Sequence, residues 1–259
     1  MSSTASVAPL PRVRTESRFY LWMSVVYVLI AFGGFARTYW VPVAGGRFGG
    51  GVVFHIHGLL LFSWTVFFCV QSALVAGRRV MDHRAWGLAG ISLFSVLMCS
   101  ILVAQYTIMQ RYAAQGYEAA ALRFSAITLL AWPFMATLFT LAIVNLRQPE
   151  THKRFMTLLM INMMTPAIAR VFLVIISALA APGALDGGPP PPFVVAPPAY
   201  AGAILLLVAV IHDKRTRGRV HPVYAYGAIP TLLYPIAAIL LSRSDAWLAF
   251  ARGFEHLAG

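Results

Sequence analysis

The side chains of this sequence best able to do chemistry are its seven histidines and a single arginine, Arg170, that lies deep in an apolar stretch. They form two groups. The first is His57, Gln105 and Arg170, each inside a long apolar run. An ionisable group in such a run is costly and marks a functional position by default. At about 100° per residue, His57, Trp64 and Gln71 fall on one helical stripe, because steps of seven return to nearly the same face. His55 stands about 200° round the helix from His57, so the H-x-H pattern is not a chelating pair on one face. His57, Gln105 and Arg170 are candidates to line one polar pocket. Such a pocket suits a quinone headgroup, whose carbonyls need donors, or a b-type haem with one His ligand and Arg170 near a propionate. The plainer alternative is that these groups only hydrogen-bond one another and hold helices together.

The second group is His83, His152 and His221, in Asp82-His83-Arg84, Glu150-Thr151-His152-Lys153-Arg154 and Gly218-Arg219-Val220-His221-Pro222, with His212 on the same side. Each of the three stands at or just before the start of an apolar run, so three loops bring them to one face. Three imidazoles with Asp82, Glu150 or Asp213 as orienting groups or ligands would suit zinc, copper or iron. No pair has metal-ligand spacing on one helix, so such a site depends on tertiary folding. Two other readings stay open: histidines as interfacial anchors, and a basic site for anionic lipid or phosphate.

The elements that must position these groups are transmembrane helices. Of the 259 residues, 59% are hydrophobic and 11% charged, whereas a soluble domain carries about 25% charged residues. Seven apolar segments run Phe19–Ala36, Val53–Ala76, Leu88–Gln110, Phe124–Leu146, Phe155–Ala180, Val194–Ile211 and Val223–Leu241. Each is near the roughly 20 residues a helix needs to cross the hydrocarbon core, and helices satisfy their own backbone in lipid. The first segment reads as a retained helix, since its apolar run exceeds the usual signal-peptide length. The sixth is the weakest, with Pro197 and Pro198 in its first turns. The expected fold is an all-α bundle of seven transmembrane helices over residues 19–242. A tail spans residues 1–18, and an amphipathic tail over 243–259 lies along the opposite interface, with Trp247, Phe250, Ala251 and Phe254 at helical spacing. The Gly- and Pro-rich loop around Ala181–Pro198 predicts an extended, polyproline-like path.

Alternate loops differ in basic residues: thirteen Lys and Arg lie on one side and six on the other, with Arg170 inside a span. The richer side reads as cytoplasmic, which puts the N-terminus inside and the C-terminus outside. The net charge of +12 is scattered in short clusters between apolar runs, which points to anionic headgroups and not to nucleic acid. Cys69 and Cys99 lack C-x-x-C spacing and read as small buried apolar residues.

The string His55-x-His57-Gly58, Trp64, Gln71, His83-Arg84-x-x-Gly87, then His152-Lys153-Arg154-x-Met156, Pro166-Ala167-x-x-Arg170 and Gly218-Arg219-x-His221-Pro222 resembles a group of poorly characterised bacterial inner-membrane proteins. The His-Lys-Arg-x-Met run also looks like small membrane proteins of cytochrome oxidase assembly. The resemblance spans roughly residues 50–225. It implies a multi-pass helical fold in a bacterial inner membrane, adds weight to the histidines and carries no settled activity; a respiratory complex as partner belongs to the redox-ligand function. Three functions remain open from the sequence: a redox-ligand protein binding haem b or quinone, a metal-dependent membrane enzyme using His83, His152 and His221, and a non-enzymatic accessory subunit. A retinal protein is disfavoured because the seventh segment has no lysine.

Overall fold

The computed structural model describes residues 11–179 and 188–258, and among them every regular element is a helix. Ten α-helices follow one another: α1 Pro11–Gly34, α2 Val41–Ala44, α3 Val52–Ala76, α4 Val80–Ala114, α5 Glu118–Val144, α6 Pro149–Met163, α7 Thr165–Leu179, α8 Ala196–Arg217, α9 Pro222–Ser242 and α10 Asp245–Ala258. Six spans are long and apolar enough to cross a membrane, α6 and α7 together making one of them. The bent pair Arg18–Gly34 and Ala36–Ala44, at 41°, makes a seventh when taken as one span. The bend is a local widening of the helix, in which the amide of Trp40 reaches the carbonyl of Phe35 five residues back.

The outer faces of these helices are as apolar as their cores. Leu29, Leu59, Leu88, Val103, Ile204 and Leu240 are all exposed, which is tolerable only where lipid is the solvent. Cys99 is exposed and Cys69 half-buried, so the cysteines are not the core residues expected. At 35 residues, α4 is about 52 Å long and exceeds the thickness of a hydrocarbon core, about 30 Å.

The packing order is a closed ring: α1, α3, α4, α5, α9, α8, α7 and back to α1. Within it α6 packs against α5, α8 and α9, and its Leu158, Leu159, Met160 and Ile161 are fully buried. The fifth span therefore changes neighbourhood along its length. It breaks at Met164, whose amide is shared between the carbonyls of Met160 and Ile161. Pro166 follows, and its missing N–H keeps the turn from closing as a regular helix. Beyond the break, α7 packs on α1 and α8. Contact with α1 is backbone-close at Gly34, where a Cβ would stand 2.4 Å from the carbonyl oxygen of Ala167.

Several expected boundaries shift. Helix α1 begins at Pro11, so the tail expected over residues 1–18 is helical in its second half; residues 1–10 lie outside the described residues. Pro197 and Pro198 do not interrupt α8, because they occupy its first turn, where no intrahelical N–H is needed. Of the loop expected to run extended, residues 180–187 lie outside the described residues; Pro191 has polyproline dihedrals (φ −63°, ψ 146°) and is followed by one tight turn, Pro192–Val195. The C-terminal segment is the helix α10, and Ser244 Oγ accepts from the Trp247 amide at its start. Its apolar face is docked on the bundle instead of lying free: Trp247 and Ala251 pack with Met109, Leu122 and Ala126, and Trp247 Nε1 donates to the Leu122 carbonyl at 3.0 Å.

Candidate functional site

The chain turns at one end of the bundle near Arg78, Arg147 and Gly218, and this end carries most of the basic residues. We call it the basic end, and the opposite end, with α2 and α10, the far end.

At the basic end the strongest feature is Arg154, 1% exposed on α6, facing Asp213 on α8, which is fully buried. Arg154 Nε donates to Asp213 Oδ2 at 2.9 Å, and Nη2 donates to Asp213 Oδ1. Nη1 donates to the carbonyl and side chain of Glu150, one turn earlier, at 2.8 and 2.7 Å. Glu150 also takes Lys153 at 2.7 Å and Arg217 of α8. The guanidinium lies over the Tyr224 ring, 5.8 Å from its centre. A charge buried this deeply must be paired and hydrogen-bonded, and every nitrogen of the guanidinium donates.

This network corrects the expected role of the carboxylates. Asp213 binds Arg154 and the backbone N–H of His221, Glu150 is committed to three cations, and Asp82 pairs with Arg79 at 2.7 Å. None of the three orients an imidazole, because arginine, with its fork of donors and permanent charge, is the stronger partner.

The three histidines do not form one cluster. His221 caps α9: its Nδ1 accepts from the Val223 amide at 3.2 Å. Burial, then the charge of Arg154, holds its pKa below the usual value. His83 and His152 do meet, with ring centres 6.4 Å apart. The Nδ1–H of His152 donates to the Ala142 carbonyl at 2.8 Å, one of the last carbonyls of α5 that lack an intrahelical partner. His83 Nδ1 donates to Gln71 Oε1 at 2.7 Å. Gln71 belongs to the same stripe of α3 as Trp64, and both are buried. Among the described residues no three His, Cys, Asp or Glu side chains are placed to hold a metal ion.

The first group lies in the far half. His57 Nδ1 donates to Ser100 Oγ at 3.0 Å, because the Ser100 hydroxyl is itself spent on the Leu97 carbonyl at 2.7 Å. That leaves His57 Nε2 as an acceptor. His55 turns away to the Tyr39 hydroxyl at 3.1 Å. Gln105, 5% exposed, has no partner for its Nε2 donor. Arg170 sits over the Phe35 ring at 5.3 Å, and no carboxylate among the described residues pairs with it. Phe35 in turn packs edge-on to Phe62, five residues along α3 from His57. Tyr112, which shares a face of α4 with Gln105, lies within electrostatic reach of Arg170. No hydrogen bond joins His57, Gln105 and Arg170 directly.

The buried Arg154–Asp213 pair escapes a reading by hydropathy, in which both count as loop residues. Its one sequence signal is Glu150 four residues before Arg154. No protein-family model matches the chain, and no curated protein or solved structure matches it either.

Proposed function

We propose that this protein binds a redox-active ligand bearing acceptor oxygens, a quinone, in the far half of its transmembrane bundle. The observation that carries the reading is the buried Gln105 amide, whose N–H donors have no partner, since leaving such a donor unmade costs about 1–3 kcal/mol. Arg170 supports it as a second donor, a cation among apolar helices with no carboxylate paired to it among the described residues. His57 supplies the complementary function. Its Nε2 is free to accept, so it would receive the proton of a quinol hydroxyl that Gln105 and Arg170 could hold only as the quinone.

The basic bias of one end supports an N-terminus in the cytoplasm, and the motif resemblance supports a bacterial inner membrane. In that setting the ligand would come from the respiratory quinone pool, and a respiratory complex is the partner class it implies.

The test is quinone content. The chain is purified in mild detergent, its lipids are extracted, and quinone per chain is measured beside Gln105→Leu and Arg170→Gln variants. The expected result is near-stoichiometric quinone in the parent and at least tenfold less in each variant. Equal occupancy in all three, or none in the parent even after reconstitution with quinone-loaded vesicles, would refute the reading.

A further inference from the structure

His83 and His152 are held in a way that the neighbouring ion-pair network does not require. Each ring spends Nδ1–H on an oxygen, the Gln71 amide for one and the Ala142 carbonyl for the other. Each is therefore left with a lone pair on Nε2. Metal-ligating histidines are fixed in this manner, by a carbonyl or carboxylate on the nitrogen that does not bind the metal.

The separation selects the kind of centre. With a metal–imidazole bond of about 2.0 Å and a ring centre about 1.1 Å behind its nitrogen, two trans imidazoles place their centres about 6.2 Å apart, against about 5.1 Å at a tetrahedral angle. The observed separation of 6.4 Å matches the trans spacing and exceeds the tetrahedral one. Zinc takes four ligands in a structural site and three protein ligands in a catalytic one, and no third His, Cys, Asp or Glu joins the pair among the described residues. The metal must then bring its own equatorial ligands. Charge points the same way. Arg84 is close enough to be felt at His83, which repels a bare cation and attracts a macrocycle carrying carboxylates. Gly87 lies one turn beyond His83 on the same face of α4, and a Cβ there would meet nothing within 4 Å. That leaves room for a flat ring to approach the helix.

We propose that His83 and His152 are the two axial ligands of a haem iron at the basic end, with Gln71 and Ala142 fixing their orientation. The site is separate from the far-half ligand site and does not depend on it.

The full-length chain, purified in mild detergent and titrated with haemin, gives the test through its oxidised and dithionite-reduced spectra and its low-temperature EPR. One haem per chain is expected, six-coordinate and low-spin with two nitrogen axial ligands. His83→Ala and His152→Ala should each remove the low-spin signal, and millimolar imidazole should restore it, which separates loss of a ligand from loss of the fold. His83→Met should retain haem with a changed axial signature, while His256→Ala, an exposed position on α10, leaves the spectrum as it was. Failure to bind haemin overturns the proposal, as does a low-spin spectrum that survives both alanine variants. Uptake of Cu(I) without haemin also overturns it and assigns the pair to a linear two-coordinate ion.

Discussion

Replacing Asp213 by Asn removes the one fully buried carboxylate that faces Arg154 among the described residues. Asn has nearly the same shape, so packing is kept and charge is the variable. Breaking a buried pair by removing one partner costs about 3–5 kcal/mol, because the other charge is left uncompensated. Glu150 still contacts Arg154, but it is 43% exposed and shared with Lys153 and Arg217, so it compensates weakly. The expected loss is therefore near the lower end, about 3 kcal/mol, or a melting shift of about 6–12 °C for a chain of this size. The assay is thermal unfolding in detergent, followed by intrinsic tryptophan emission. Glu150→Gln is the control and should cost about 1 kcal/mol or less, since an exposed carboxylate is screened by water. The double variant Arg154→Met/Asp213→Leu removes both charges and should recover most of the loss. The reasoning fails if Asp213→Asn melts within 2 °C of the parent, or if the double variant is no more stable than the single one.

Two further outcomes follow from the packing and the cap. Protonating His221 would remove the lone pair that receives the Val223 amide, and its folded pKa lies below the unfolded value. Its contribution is thus complete above about pH 6.5 and lost as pH falls through the lowered folded pKa, worth about 1 kcal/mol; melting temperatures of the parent and the cap-less His221→Ala across pH 7.5 to 5 should converge at the acid end, and parallel curves would disprove the cap's titration. Gly34→Ala forces a Cβ to within 2.4 Å of the Ala167 backbone and should cost about 2 kcal/mol or more by overpacking, whereas Gly33→Ala, with open space at the same point, should be neutral in the same melting assay.

The seven apolar segments were legible because each span has to be apolar on every face, so hydropathy alone marks it. Charge and polar ends are where hydropathy stops short. The run Leu88–Gln110 became the helix Val80–Ala114 because a helix continues through water-facing turns that no hydropathy window counts. The break at Met164 was illegible for a related reason: Pro166 interrupts backbone hydrogen bonds without lowering apolarity. The exposure of Cys99 was misjudged because apolar residues facing lipid and facing the core look alike in a sequence. At the candidate sites the sequence named His57, Gln105, Arg170, His83 and His152, yet only tertiary structure tells that His221 caps a helix. Nor does any local spacing join Arg154 to Asp213, since they stand 59 positions apart.

That separation bears on how the chain is made. Helix α6 leaves the ribosome carrying Arg154 before the residue that neutralises it exists. At about 5–20 residues per second, Asp213 follows some 3–12 seconds later. Until then the guanidinium has every reason to stay in the headgroup region, with the start of α6 held out toward water. Insertion of α8 would then do two things at once, adding a span and drawing the beginning of an earlier one into the protein. Synthesis from the N-terminus fixes the order of the spans in the chain, but the charge at the centre of this bundle is neutralised only when its penultimate span arrives.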